Sequence, residues 1–259
     1  MANKGQELAS DPALRRVIAR LADARNVLVL SGAGISAESN IPTFRGKGGL
    51  WRSYNPASLA TFAAFKKDPK LVWEFYEYRR RVVAEASPNP AHRALAELDG
   101  PDRKVFIVTQ NIDDLHERAG SQGIVHIHGS IWAVTCLKDG ATYEDKQVPL
   151  PQLPPVCACG GMLRPGVVWF NEMLPTAPVR QVEQYLHQTR IDVAFVIGTE
   201  ATFYYIREWA VRAKGMGALL VEINPRRTPL TPYANVWLRQ KAGEVLEEIR
   251  KALSPGSGS

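Results

Sequence analysis

The sequence contains little cysteine and no long apolar run. Its three cysteines are an odd number, which excludes a framework of paired disulfides as the basis of the fold and favours a reducing compartment. No apolar stretch reaches the ~18 residues that a membrane-spanning helix needs, and the first residues lack the apolar core of a signal peptide. We therefore expect a cytoplasmic protein with no membrane partner.

A strong acidic balance and a base-reading motif are also missing. The net charge is +6 and the pI is about 9.3, but the basic residues are spread along the chain instead of forming a cluster. The sequence therefore favours an enzyme with a positive field over a nucleic-acid-binding protein. Hydrophobic residues make up 45% of the 259 residues, which excludes wholesale disorder and suits one large domain, alone or with a smaller insertion.

Short, fully apolar runs alternate with helical patterns along the chain. The runs cover residues 27–30, 105–108, 193–197 and 218–221, and Ile223 extends the last one. Near the start, helical spacing over residues 12–25 predicts a helix with Asp11 as its N-cap. Apolar strands separated by helices are typical of a parallel sheet covered on both faces. The predicted fold class is α/β, with ligands bound at the carboxyl ends of the strands.

Two segments interrupt this alternation. Residues 43–92 contain loops and two helical patterns, and residues 131–165 contain all three cysteines and five prolines with little periodicity. We expect these segments to form a smaller inserted module beside the sheet, with a helical part and a cysteine-bearing part. No internal repeat is visible.

The first apolar run leads into Gly32-Ala33-Gly34, which looks like the opening of a dinucleotide-binding fingerprint. Residue 37 is alanine where a third glycine is expected, and the acidic residue about 20 positions on is missing. Two close glycines can form a tight turn, or they can let backbone N–H groups approach a phosphate, and the pattern alone leaves both open. Asn40 precedes Ile41-Pro42, where we expect a left-handed backbone conformation.

Polar side chains also follow the second apolar run. Gln110, Asn111 and Asp113 come directly after it, and HIHG places His126 and His128 on one face of an expected extended segment. Asn and Asp are common helix caps, and a single histidine is more often structural than catalytic. For each of these residues the spacing leaves a structural and a ligand-binding interpretation open.

Taken together, these stretches resemble the sirtuin family of NAD-dependent protein lysine deacylases. The matching segments, in the family's order, are GAGISAESNIPTFRG, TQNIDDLHERAG, HIHGS, CGGMLRPGVVWFNE, VIGT and EINP. The resemblance implies a Rossmann-type NAD-binding domain of residues 1–42, 93–130 and 166–259, and a small domain of residues 43–92 and 131–165. It also implies NAD as cofactor, acyl-lysine proteins or peptides as substrates, and nicotinamide and O-acyl-ADP-ribose as products.

The resemblance also implies a role for individual residues. His128 is the general base, for which an imidazole has a suitable pKa, and Asn111 and Asp113 assist catalysis. The acyl-lysine substrate contacts Val168 and Phe170. The NAD-binding residues are Gly32, Ala33, Gly34, Ala37, Phe44, Arg45, Gln110, Asn111, Ile112, Asp113, Gly198, Thr199, Asn224, Pro225 and Ala242.

The helical segment WEFYEYRRRVV (73–83) has two interpretations. By spacing alone, Arg79, Arg80 and Arg81 favour a solvated helix face. Tyr76 and Arg79, however, are three residues apart and share a face, and this pair resembles the sirtuin branch that removes succinyl, malonyl and glutaryl groups. A guanidinium suits a carboxylate, and Ala60 matches a small residue that keeps the acyl pocket open. Deacetylation is expected to persist beside desuccinylation.

The cysteines depart from the family's two Cys-x-x-Cys pairs. Cys136 is followed by Asp139 where a cysteine is expected, and Cys157 and Cys159 are separated by one residue instead of two. Zinc requires four ligands and accepts a carboxylate oxygen. The four residues are therefore candidate ligands of a structural zinc, and a metal-free module is the alternative.

Two further departures motivate other functions. Asn171 stands where the family's substrate-pairing strand has glycine, and Glu200 replaces a serine after Gly198-Thr199. Both motivate one alternative, an NAD hydrolase or ADP-ribosyltransferase. A protein that senses NAD without turnover is a second alternative. A zinc-ribbon nucleic-acid binder is a further alternative. The main hypothesis remains a deacylase of the desuccinylase-like branch.

Overall fold

The structure, a computed structural model, describes residues 8–43 and 55–254. Within these ranges the helices are α1 (Pro12–Ala22), α2 (Pro56–Leu59), α3 (Phe62–Lys67), α4 (Pro69–Glu85), α5 (Pro90–Leu98), α6 (Leu115–Arg118), α7 (Thr176–Gln188), α8 (Tyr204–Gly215) and α9 (Ala242–Leu253). The strands are β1 (Asn26–Ser31), β2 (Lys104–Thr109), β3 (Ile124–His126), β4 (Gly129–Cys136), β5 (Thr142–Glu144), β6 (Leu163–Val167), β7 (Val193–Ile197), β8 (Leu219–Ile223) and β9 (Val236–Leu238).

Six strands form a parallel sheet in the order β3-β2-β1-β7-β8-β9. The four apolar runs of the sequence are β1, β2, β7 and β8, and Val27 pairs with Val105 on one side and Val193 on the other. The prediction of an α/β fold with a parallel sheet is confirmed. The outer strands β3 and β9 have three residues each, too few to show a pattern in the sequence.

Helices cover both faces of this sheet, as predicted. Val27 and Val29 pack with α1, α5 and α9 on one face, and Leu28 and Leu30 pack with α7 and α8 on the other. Successive strand residues point to opposite faces, so a fully apolar strand fills both cores. Burying one Val or Leu side chain contributes about 1.5–3 kcal/mol, which holds the strand ends in fixed positions.

Helix α1 begins as the sequence predicts. The backbone N–H of Ala13 donates to Oδ1 of Asp11 at 2.8 Å, and Pro12 occupies the first turn. Among the described residues, no helix combines the length and apolar character that crossing a bilayer requires.

A separate core lies beside the sheet, in the small module formed by α2–α4 and β4–β6. Its strands form an antiparallel sheet in the order β5-β4-β6, which the sequence analysis did not predict. The indole N–H of Trp73 donates to the carbonyl of Leu163 at 2.8 Å and joins α4 to β6. This core also includes Trp169, which the predicted boundaries assign to the large domain. Ala91, which they assign to the small domain, packs with the large sheet. The division into two domains stays a prediction.

Arg80 anchors α4 to the small module and is fully buried. Its guanidinium donates to the carbonyls of Ile131, Asp145 and Gln147 and to the Asp145 carboxylate at 3.0 Å. Burial lowers the pKa of Arg80, and Asp145 opposes that shift. The interpretation of a solvated arginine face is therefore wrong for Arg79 and Arg80, which are both buried, while 57% of the Arg81 side chain is exposed.

The strand order reverses between β1 and β7. Chain connections leave these two neighbours in opposite directions along the sheet, so a crevice opens beyond their carboxyl ends. The loops after β1, β2, β7 and β8 all meet there. The fold therefore brings together segments that are far apart in the sequence.

Candidate functional site

A cleft of about 900 Å³ lies at this edge of the sheet, near the upper end of the ~300–1,000 Å³ typical of ligand pockets. Asp113 is buried but is not part of the cleft wall, and Phe44 and Arg45 lie outside the described residues. The predicted site residues that line the cleft are Gly32, Ala33, Gly34, Ala37, Ala60, Tyr76, Arg79, Gln110, Asn111, Ile112, His128, Val168, Phe170, Gly198, Thr199, Asn224, Pro225 and Ala242.

The loops after β1 and β7 touch backbone to backbone at one end of the cleft. The N–H of Gly34 donates to the carbonyl of Gly198 at 2.7 Å, and a Cβ at position 34 would lie 2.6 Å from the Gly198 Cα. Gly198 also has a φ of +60°. The close contact explains why residues 34 and 198 are both glycine. It also leaves a stretch of cleft wall without side chains, which fits the diphosphate of a dinucleotide.

Two asparagines near the cleft have left-handed backbones. Asn40 has a φ of 62°, as predicted, and Asn171 has a φ of 69°. Asparagine tolerates this conformation better than other non-glycine residues. Asn171 therefore keeps the backbone path that a glycine would take at the same position.

His128 is a titratable group in the wall of the cleft. Its Nδ1 lies 3.0 Å from the carbonyl oxygen of Gln110, and because a carbonyl only accepts, Nδ1 carries a proton. Its Nε2 lies 2.6 Å from the hydroxyl of Tyr205. Burial lowers the pKa of His128 to about 4, although the Gln110 carbonyl opposes the shift. The imidazole is therefore neutral at pH 7, with Nε2 as the nitrogen that accepts.

The second histidine of HIHG has a different environment. Nε2 of His126 lies 2.5 Å from Oε1 of Glu117. Burial lowers the pKa of His126, but the hydrogen bond and charge of Glu117 outweigh it and the net shift is upward. Strand β3 ends at His126 and His128 lies in a turn, so the expected single face with two histidines is not formed.

Amides and hydroxyls surround the cleft beside His128. The side-chain amide of Asn111 donates to the hydroxyl of Ser36 at 3.1 Å, and the side-chain amide of Gln110 donates to the hydroxyl of Thr199 at 3.0 Å. Asp113 accepts from the backbone N–H of Leu115. Burial raises the pKa of Asp113, and hydrogen bonds from Leu115 and Ser36 partly offset this. These contacts orient the polar groups before any ligand binds.

Tyr76 and Arg79 line the cleft side by side. The indole of Trp169 donates to the Tyr76 hydroxyl oxygen at 2.9 Å, so the Tyr76 O–H keeps its own hydrogen for another acceptor. Burial raises the pKa of Tyr76 to about 12. Burial lowers the pKa of Arg79, and the nearby Tyr76 and Asp113 partly offset that decrease. Phe170 N–H donates to the Ala60 carbonyl at 2.9 Å, which joins two segments of the cleft wall.

Glu200 lies on the rim, near the loops after β7 and β8. Its carboxylate accepts from Arg226 at 2.7 Å, and the two side chains are 43% and 62% exposed. An exposed pair of this kind contributes only about 0–1 kcal/mol to stability. The pair does offset the negative charge that the sequence places beside the expected phosphate site.

The four candidate metal ligands meet in the small module. One donor atom each of Cys136, Asp139, Cys157 and Cys159 lies within 4.8 Å of all the others, and the sulfurs of Cys136 and Cys159 are 3.5 Å apart. Zinc–sulfur bonds of ~2.3 Å in a tetrahedron place two sulfurs about 3.8 Å apart. Oδ1 of Asp139 accepts from Ala141 while Oδ2 lies 4.0 Å from the Cys157 sulfur. The cluster is compatible with a structural zinc.

We expect the purified protein to contain about one zinc per chain, and Asp139→Ala to lose it at least about tenfold more readily to a chelator, because three ligands remain. Metal analysis by mass spectrometry after dialysis against graded chelator measures this. Glu144→Ala is the matched control, since Glu144 is an exposed carboxylate on the neighbouring strand. Equal retention in the parent and Asp139→Ala would exclude Asp139 as a ligand.

Sequence reasoning missed several residues of the cleft. Tyr205, Phe203 and Arg226 line it, and Ser36 contacts Asn111 behind its wall. Ser36 lies within the motif segment after Gly34, and that position is the one sequence feature that could have pointed to it as a site residue. Tyr205 is 77 positions from His128, and nothing in the sequence pairs them.

Comparison with known proteins identifies the family. The Sir2 family model matches residues 32–204. An NAD-dependent protein deacylase of Aquifex aeolicus is 42% identical over 235 residues, which cover 90% of this chain and 98% of that protein. NAD-dependent protein deacylase 1 of Archaeoglobus fulgidus is 46% identical over 248 residues, which cover 92% and 99%.

Solved structures that resemble this chain are also Sir2 proteins. A Sir2 homologue–NAD complex superimposes with a TM-score of 0.85 at 45% identity and covers 93% of this chain and 95% of its own. A Sir2 protein with a peptide and NAD+ has a TM-score of 0.80 at 27% identity, with 91% and 96% covered. The matched model, the curated relatives and the shared architecture lead to one conclusion: this chain belongs to the Sir2 family.

Proposed function

We propose that the chain is an NAD-dependent protein lysine deacylase that removes acidic acyl groups, succinyl and malonyl, as well as acetyl. Its relatives are named NAD-dependent protein deacylases, and this supports the general activity. The observation that carries the proposal is the neutral His128, held in a cleft that also contains the Gly34–Gly198 contact and the Tyr76–Arg79 pair.

Different residues of the cleft have different roles in this reaction. NAD, when bound, supplies an electrophilic ribose carbon with nicotinamide as the leaving group. We assign the wall at Gly34 and Gly198 to its diphosphate, because glycines without side chains let a ligand come close to the backbone there. Asn111 and Gln110 face the cleft as oriented amides that hold the reacting end. His128 accepts the proton of a ribose hydroxyl at Nε2.

The acyl specificity follows from charge and hydrogen bonding at the other end. Arg79 is 7% exposed and Tyr76 is 3% exposed, so a ligand carboxylate there would meet both groups away from solvent. Charge-assisted hydrogen bonds are roughly twice as strong as neutral ones. The small side chain of Ala60 leaves room beside them. An acetyl group would make none of these contacts, so its removal depends less on the pair.

The test is a panel of acetyl-, malonyl- and succinyl-lysine peptides of one sequence, each incubated with NAD and followed by mass spectrometry. We expect nicotinamide to appear only with acylated peptide, and the acidic groups to be removed fastest. Nicotinamide released from NAD alone would instead support a hydrolase or ADP-ribosyltransferase. Thermal stabilisation by NAD without nicotinamide from any peptide would support an NAD sensor.

A further inference from the structure

The proton-accepting nitrogen of His128 is already engaged in this structure. Nδ1 must donate to the Gln110 carbonyl, so Nε2 has a single lone pair and no hydrogen. The Tyr205 hydroxyl, 2.6 Å away, must therefore be the donor to that lone pair. A substrate hydroxyl cannot bond to the same lone pair unless Tyr205 leaves or takes part.

Tyr205 is held firmly in place. It is the second residue of α8 and is 8% exposed. Phe203 stacks on its ring with centroids 5.5 Å apart and planes 14° apart, and Trp209 packs against it at 5.4 Å. The ring belongs to the core between α8 and the sheet, yet it also lines the cleft. Displacing the hydroxyl would mean moving a packed core side chain.

We propose that Tyr205 is a catalytic residue that relays the proton from the ribose hydroxyl to His128. The proposal rests on the proposed deacylase function. The substrate O–H bond breaks as its proton passes to the Tyr205 oxygen, and the Tyr205 O–H bond breaks as that proton passes to Nε2. The substrate oxygen keeps its electron pair for the bond it forms, Tyr205 ends neutral and His128 ends as the imidazolium.

The two transfers have to occur together. Burial raises the pKa of Tyr205 above its ordinary value, so a phenolate formed by a first, separate transfer is disfavoured. A concerted relay never places a charge on the tyrosine. It also explains why an aromatic hydroxyl in an otherwise apolar cluster points at the imidazole instead of at solvent.

The test compares Tyr205→Phe with the parent and with Tyr204→Phe. Tyr204 is the adjacent residue, is 72% exposed and is not part of the cleft wall, so it controls for loss of a neighbouring hydroxyl. We expect Tyr205→Phe to bind NAD as the parent does and still to release nicotinamide with acyl-peptide. Formation of O-acyl-ADP-ribose should fall about 100-fold, within the range for general acid–base catalysis, while Tyr204→Phe stays within about twofold.

Two further measurements test the relay: the first separates it from a structural effect, and the second checks the hydrogen bond that it requires. The rate in mixtures of H₂O and D₂O should indicate two protons in transfer for the parent and one for Tyr205→Phe. In ¹⁵N NMR of the ligand-free protein, the Nε2 resonance of His128 should move on Tyr205→Phe, because that nitrogen loses its donor.

The outcomes are distinct. A parent that releases no nicotinamide with any acyl-peptide would overturn the proposed function, and the relay with it. An active parent with an equal or faster Tyr205→Phe, an unchanged solvent-isotope pattern or an unmoved Nε2 resonance would overturn the relay alone.

Discussion

Replacing His128 with alanine should leave NAD affinity within about twofold of the parent and lower deacylation by about 10²–10⁴-fold, the usual contribution of a general base. The imidazole contacts the Gln110 carbonyl and the Tyr205 hydroxyl, and neither is part of the Gly34–Gly198 wall assigned to NAD. Isothermal titration with NAD and single-turnover formation of O-acyl-ADP-ribose measure the two effects separately.

The matched control is His187→Ala, because His187 is exposed on α7 and does not line the cleft. It should behave as the parent does. Loss of the two hydrogen bonds of His128 is expected to cost about 1 kcal/mol each in unfolding free energy, so thermal unfolding shows whether the variant is folded. Equal deacylation rates in parent and His128→Ala would refute the assignment of the base.

The pH dependence of the parent provides a second check on the same histidine. Because burial lowers the pKa of His128 to about 4, the imidazole remains unprotonated, and able to accept a proton, well below its ordinary value of ~6.5. The His128 limb of kcat/KM, which reports the free enzyme, should therefore still be flat at pH 5. A loss of activity with a midpoint near pH 6.5 would contradict the burial of this ring.

Replacing Arg79 with methionine should lower desuccinylation by about 10- to 150-fold and change deacetylation by less than about threefold. A hydrogen bond to a charged group contributes about 1.5–3 kcal/mol, and the methionine keeps much of the side-chain volume in the cleft. Asp113 loses a nearby positive charge in this variant. That loss acts on both substrates, so the ratio of the two kcat/KM values is the decisive quantity.

Arg81→Met is the matched control for this change. Arg81 lies on the same helix, but its side chain is 57% exposed and pairs with Glu77. The control should keep the parent's ratio of succinyl to acetyl turnover. If Arg79→Met reduced both activities equally, the guanidinium would have a structural role and not an acyl-binding one.

The features predicted correctly from the sequence are those that depend on a few neighbouring residues. Apolar runs predicted β1, β2, β7 and β8 because a strand buried on both faces needs no polar positions. Asp11 and Asn40 were predicted correctly because a cap and a left-handed turn depend on one or two neighbouring residues. The strands of the small module were missed, since their segment is rich in proline and shows little periodicity.

The site was predictable only as far as short motifs reach. The motif segments predicted the Gly34 loop, Gln110, Asn111 and His128, and the fold brings them to one cleft. Contacts between distant segments could not be predicted. Arg80 looks like its neighbour Arg81 in the sequence, yet only the fold places carbonyl groups of β4 and of the loop after β5 around it.

The burial of Arg80 has a consequence for substrate range. Its bonds to three carbonyls prevent α4 from rotating about its axis, and since consecutive helical residues point about 100° apart, a fixed Arg80 also fixes the direction of Arg79. In the proposed function, the carboxylate of an acidic acyl group therefore meets a positive charge whose position is fixed. Tolerance for longer or shorter dicarboxylic groups is then expected to depend on bending of the acyl chain itself, because the helix cannot turn to follow it.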